Sequence, residues 1–195
     1  MNRNTNTNTS KLTFMGVMLA LTIVFVALTV IPTTSASMAL LIFLPTIITS
    51  IIQGPKYGAV MGGLAGFVTL LRALIYPASP LDYLFLNPLV AILPRVFIGI
   101  IPYFVFKVFK SLVKNNTVSL LIAGVSGALT NTSLVILMLY LIYNERIVQI
   151  STEFGIGTTF AAFAIFLIST STLIESSVAG IGTTAVVNVY NKLKK

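Results

Sequence analysis

The chain has 195 residues, 56% of them hydrophobic and 8% charged, at a mean hydropathy of +1.01. Soluble domains carry about a quarter charged residues, so most of this chain is excluded from water; an all-α integral membrane protein is expected, with room for six spans of about 20 residues and for no second, soluble domain. With no cysteine and no histidine, disulfides, thiolate nucleophiles, His-ligated metals and His general bases are excluded, and neither metal nor cofactor is expected.

Residues 1–11, MNRNTNTNTSK, are polar and low in complexity, and read as a cytoplasmic tail. A single membrane domain is expected over 12–190, followed by a basic cytoplasmic tail over 191–195. The first span, 12–31, is long and has no small-residue cleavage site, so a removed signal is not expected there. Pro32 and the polar run through Ser37 make a short outer loop, and the second span, 38–53, is expected to kink at Pro45. Gly54, Pro55 and Lys56 form a turn. The third span, 57–75, carries Gly58, Gly62, Gly63 and Gly66, a small-residue face for close helix approach.

Residues 76–86, YPASPLDYLFL, read as an outer loop apolar enough to fold over a cavity as a lid. The fourth span, 87–109, contains Pro88, Pro94 and Pro102 and is expected to bend or break near its outer end. After a polar turn over 110–117 come the fifth span, 118–143, and an outer loop over 144–157. The sixth span, 158–190, is longer than a bilayer needs, and so must tilt or protrude.

Charge placement supports the six-span order. With the N-terminus inside, the cytoplasmic side holds Arg3, Lys11, Lys56, Lys107, Lys110, Lys114, Lys192, Lys194 and Lys195, and the outer side holds Arg146. That split follows the positive-inside rule and requires both termini on one side. The net charge of +8 is thereby explained as topology, and no nucleic-acid partner is expected.

Arg72, Arg95 and Glu175 lie inside apolar runs. Charges there are costly against lipid and normally face the bundle interior, a wet cavity or each other. At about 1.5 Å per residue, Arg95 lies about 12 Å below the outer end of its span. Arg72 is near a helix end, where it either snorkels or faces a ligand. Glu175 is a structural partner of an arginine, a protonated buried acid, or a ligand group. Asn131, with Thr132 and Ser133, is interhelical glue or a ligand contact. The three charges sum to +1, so a shared cavity would prefer an anion, most simply a small carboxylate. No HExxH, GxSxG, paired intramembrane carboxylates or P-loop occurs, so the chain is expected to be no enzyme and to lack an ATPase of its own.

Two stretches carry a family resemblance. Asn87-Pro88-Leu89-Val90-Ala91-Ile92-Leu93-Pro94-Arg95-Val96-Phe97-Ile98-Gly99 is similar to the opening of the fourth span in the folate and pantothenate branch of S components, the substrate-binding subunits of energy-coupling factor (ECF) vitamin transporters. Gly16-Val17-Met18-Leu19-Ala20 resembles that family's AxxxA docking motif, with Gly16 in place of the first alanine. The resemblance covers the chain from Lys11 onward. It implies a vitamin cavity in the outer half and, as partners, a transmembrane coupling subunit docked through Gly16 and Ala20 and two ATPase subunits that drive release inward. Arg95, Asn131, Ser133, Glu175, Asn87 and Arg72 are the expected substrate contacts. Pantothenate is the expected vitamin, because one arginine and several hydroxyl or amide groups suffice for it and the chain has no tryptophan; folate and a pyridoxine-type vitamin are the alternatives. A structural or assembly protein without a ligand would use the same charges for internal pairing. An autonomous proton- or sodium-coupled carrier would need a second intramembrane carboxylate or an inverted repeat, and neither is visible.

Overall fold

The structure is a computed structural model and describes residues 3–29, 41–77 and 80–193. Helix α1, Arg3–Leu28, starts within the stretch read as a tail, because no glycine or proline interrupts it and the apolar run behind propagates the helix backward. The short outer loop expected after residue 31 lies outside the described residues, as does the start of the second span. Helix α2, Leu44–Gln53, is not kinked at Pro45: the proline occupies its first turn, where the missing N–H costs nothing. Ten residues reach only about 15 Å. This helix is instead the core of the bundle, buried all round from Ile42 to Ile51, with Thr49 Oγ1 donating to the Pro45 carbonyl at 2.7 Å. Gly54, at φ 97°, turns the chain sharply into the next helix.

Helix α3, Pro55–Ile75, places Gly58, Gly62 and Gly66 four residues apart on one face. The fourth span lies against that face and is broken into three helices, each with proline in its first turn: α4, Pro88–Ala91, α5, Leu93–Ile98, and α6, Ile101–Val113. The breaks therefore sit ahead of Pro94 and Pro102 as well as at the outer end. A side chain on Gly62 would meet the Arg95 carbonyl, on Gly58 the Gly99 carbonyl and on Gly66 the backbone of Ala91 and Ile92. Gly63 is off this face and faces only Val96.

Helix α7, Asn116–Glu153, is capped by Asn115, whose side chain accepts from the N–H groups of Thr117 and Val118. It passes the expected end of the fifth span with only a kink at Tyr143 (φ −129°, ψ 23°). The outer loop expected over 144–157 is thus mostly helix. No glycine or proline lies between Tyr143 and Gly155, and Ile147 is fully buried against a second cluster of Leu84, Val90, Val135, Leu139 and Phe163, so burial sustains the helix. The sixth span is α8, Phe160–Leu167, a π-helical turn, Ile168–Thr172, and α9, Leu173–Leu193. Its excess length is partly taken up by that wide turn, a feature that recurs beside functional sites.

Among the described residues, five helical stretches are long and apolar enough to cross a membrane: Thr9–Leu28, Pro55–Ile75, Pro88–Val113, Asn116–Glu153 and Phe160–Leu193. With the short, buried α2 they form an all-α membrane bundle. At one end, Phe14 meets Tyr190 edge-on at 5.6 Å and Gln53 Nε2 donates to the Lys11 carbonyl at 3.1 Å. The start of the first helix and the end of the last therefore share one end of the bundle.

Candidate functional site

A cavity of about 220 Å³ lies among α5, α7, α8, the π-helical turn's flanks and a 3₁₀ helix, Pro80–Leu86, that forms part of its wall. Arg95, Asn131 and Glu175, three of the polar residues singled out in the sequence, all line it, together with Thr132 and the apolar side chains of Phe43, Leu84, Phe85, Val135, Leu139 and Phe163. Polar groups from three separate spans thus converge within an otherwise apolar pocket, the usual composition of a small-molecule site.

Arg95 follows Pro94 in α5, so the backbone break sets the direction of its side chain. The residue is 7% exposed. Its guanidinium lies 5.3 Å from the ring centre of Phe85 and 6.0 Å from that of Phe43, where the ring faces hold a cation in place of water. Nη1 donates to the Val90 carbonyl at 3.1 Å, while the buried Nε has no partner. Asn131 occupies the same α7 face as Val135 and Leu139, and its Oδ1 is buried and unpartnered. Glu175 accepts from Thr132, and its Oε2 is likewise unpartnered. Among the described residues no ion pair joins Arg95 to Glu175, although they line one cavity. Buried polar atoms are ordinarily satisfied, so three unpartnered ones around a single cavity point to a ligand with both anionic and hydrogen-bonding groups.

The other expected contacts fall elsewhere. Ser133 is exposed on the outside of α7: two residues from Asn131 is about 200° around a helix, and the neighbouring hydroxyl, Thr132, takes the place expected for it. Asn87 caps α4, its Oδ1 accepting from the Leu89 N–H at 3.0 Å, and does not line the cavity. Arg72 neither snorkels freely nor reaches the cavity, because its Nη1 is held by Asp82 Oδ1 at 2.5 Å. That pair ties the 3₁₀ helix to the end of α3, and Leu84 and Phe85 of the same helix press on the cavity. The aromatic and apolar lining from Phe43, Phe85 and Phe163 was not singled out in the sequence. Its only signal is position: Phe85 falls in the stretch read as a lid, and Val135 and Leu139 follow Asn131 at helical spacing. Gly16 and Ala20 lie on an exposed face of α1, with open space around Gly16.

Residues 10–187 match the family described as ECF transporter, substrate-specific component. The chain is also similar to the pantothenic acid transporter PanT of Lactococcus lactis subsp. cremoris (strain MG1363), 30% identical over 168 residues that cover 79% of this chain and 78% of that protein. The chain belongs to the substrate-specific components of ECF transporters, multi-pass membrane subunits that bind what the transporter carries.

Proposed function

We propose that this subunit captures pantothenate from the outer side of the cell membrane, with both termini cytoplasmic, and delivers it by docking on a coupling subunit that two ATPase subunits drive. The observation that carries the reading is the unpaired arrangement of Arg95 and Glu175 around one cavity, and the similarity to a pantothenic acid transporter supports the choice of vitamin. Arg95 holds the carboxylate, Asn131 and Thr132 hydrogen-bond the amide and hydroxyl groups, and Glu175 accepts from a hydroxyl. A cavity of about 220 Å³ suits the single flexible chain of pantothenate better than the three-part frame of folate. Calorimetry of the purified subunit should show tight binding of pantothenate and none of folate or pyridoxine. Tight binding of either competitor instead would overturn the assignment of cargo.

Docking is assigned to the exposed Gly16 and Ala20 face of α1, since small residues let a partner helix approach closely. Gly16→Leu with Ala20→Leu is expected to leave vitamin affinity unchanged while uptake by the assembled transporter drops at least tenfold. Unimpaired uptake would remove α1 from the docking surface.

The Arg72–Asp82 pair is assigned the role of pinning the lid. For a partly exposed pair worth about 1 kcal/mol, Arg72→Ala should speed pantothenate dissociation about fivefold in stopped-flow measurements. An unchanged dissociation rate would show that the 3₁₀ helix is held by its buried leucine alone.

A further inference from the structure

All four acidic residues of the chain, Asp82, Glu145, Glu153 and Glu175, lie about 20 Å or more along their helices, or along the helix they pair with, from the end of the bundle where α1 and α9 meet. The described part of that end carries Lys11, Lys56, Lys107, Lys110, Lys114 and Lys192 with no carboxylate among them. Two of these lysines, Lys107 and Lys110, border hollows. A hollow of about 380 Å³ is lined by Tyr103, Phe106, Lys107, Lys110 and Ser111. A second, of about 240 Å³, shares Phe106 and Lys110 and extends across to Asn116, Tyr190 and Asn191 at the ends of α7 and α9.

The local build is specific. Tyr103, Phe106, Lys107 and Lys110 recur at helical spacing along one face of α6. Lys110 Nζ stands 5.3 Å from the ring centre of Phe106, which steadies the ammonium without neutralising it. Helix α6 ends at Val113, so both lysines lie within about 10 Å of the end of the span, the depth of lipid headgroups. Farther around the same helix, past Lys107 and Ser111, Phe104, Val108 and Leu112 are 53%, 54% and 70% exposed, an apolar stripe on the adjoining side of α6. A free phosphate would use only the lysines; a lipid uses both surfaces.

We propose that Lys107, Lys110 and Ser111 bind the phosphate of an anionic phospholipid, whose acyl chains lie along Phe104, Val108 and Leu112 and whose headgroup reaches toward Asn116 and Asn191. Basic pockets between helices at the membrane surface hold such headgroups. The site is separate from the vitamin cavity and does not depend on the identity of the vitamin.

The test is native mass spectrometry of the whole chain released from nanodiscs containing phosphatidylglycerol and phosphatidylcholine. One retained phosphatidylglycerol per chain is expected. Lys107→Gln with Lys110→Gln should weaken its binding about thirtyfold or more, through loss of two charge-assisted contacts to the phosphate. Lys56→Gln with Lys192→Gln removes the same charge from the same end but borders neither hollow, and should leave the bound lipid in place. Equal loss from both double variants would mean general attraction only, and no loss from either would place the lipid elsewhere; both results overturn the proposal. So does displacement of the lipid by millimolar inorganic phosphate, which would make this a phosphate site with no use for acyl chains. Unchanged melting of the variants in lipid-free detergent excludes misfolding as the cause of a loss.

Discussion

Arg95→Ala is expected to lower the affinity for pantothenate about 30- to 1,000-fold. The range follows from about 2–4 kcal/mol for a charge-assisted bond lost inside a buried site. The guanidinium lies near the rings of Phe43 and Phe85 and is anchored to the Val90 carbonyl, so it is already oriented before a carboxylate arrives and spends little further conformational entropy on binding. Truncation also removes the one cation among the residues that line the cavity, so nothing of opposite charge is left there to meet an anionic ligand. Arg95→Lys should fall between the two, because an ammonium keeps the charge but loses the planar stack and the fork of donors. Calorimetry on all three proteins, with melting in the absence of ligand as a fold control, separates the ligand role from a structural one. A folded Arg95→Ala protein with undiminished affinity would sink the assignment, and a loss of stability with affinity intact would favour the reading in which these charges serve only the bundle.

The parts of this molecule that could be read from sequence are those where a single residue violates its local environment. Arg95, Asn131 and Glu175 are polar groups in apolar runs, and the cost of exposing them to lipid already directs them inward, where the structure brings them to one cavity. Pro94 and Pro102 break the fourth span because a ring at those positions cannot continue a helix. Orientation around an axis was not legible. Ser133 and Thr132 are equivalent as hydroxyls in the same run, and only the rotation of α7 decides that one faces the cavity and the other faces outward. Partnership was not legible either: Arg72 belongs to Asp82 ten residues later, and Asn87 serves the first turn of α4. The helix past Tyr143 was hidden for a third reason. Residues 144–153 are polar enough to read as a loop, and it is burial of Ile147 and Ile150 in three dimensions that keeps them helical.

Gly62→Ala is expected to damage both the fold and the site, although it adds one methyl group. The new carbon would collide with the carbonyl of Arg95 itself and crowd the Cα of Val96 at 3.1 Å. These are backbone atoms, with no rotamer to change, so α3 and α5 must separate. Overpacking of this kind costs about 1–3 kcal/mol, enough to lower the melting temperature by roughly 5 °C in a chain of this size. The displacement also carries Arg95 away from the ring faces of Phe43 and Phe85, and α3 bears Arg72, which holds Asp82 of the 3₁₀ helix; affinity for pantothenate should therefore fall more than tenfold. Gly63→Ala is the control. A Cβ there meets only Val96 Cγ2, at 3.8 Å, and alanine is the better helix former by about 1 kcal/mol, so that variant should bind normally and melt no lower than wild type. The adjacent pair isolates the cause: propensity predicts that both substitutions stabilise, whereas close backbone packing beneath Arg95 predicts opposite outcomes one residue apart. If Gly62→Ala melts and binds like Gly63→Ala, the contact between α3 and α5 is not what positions the arginine.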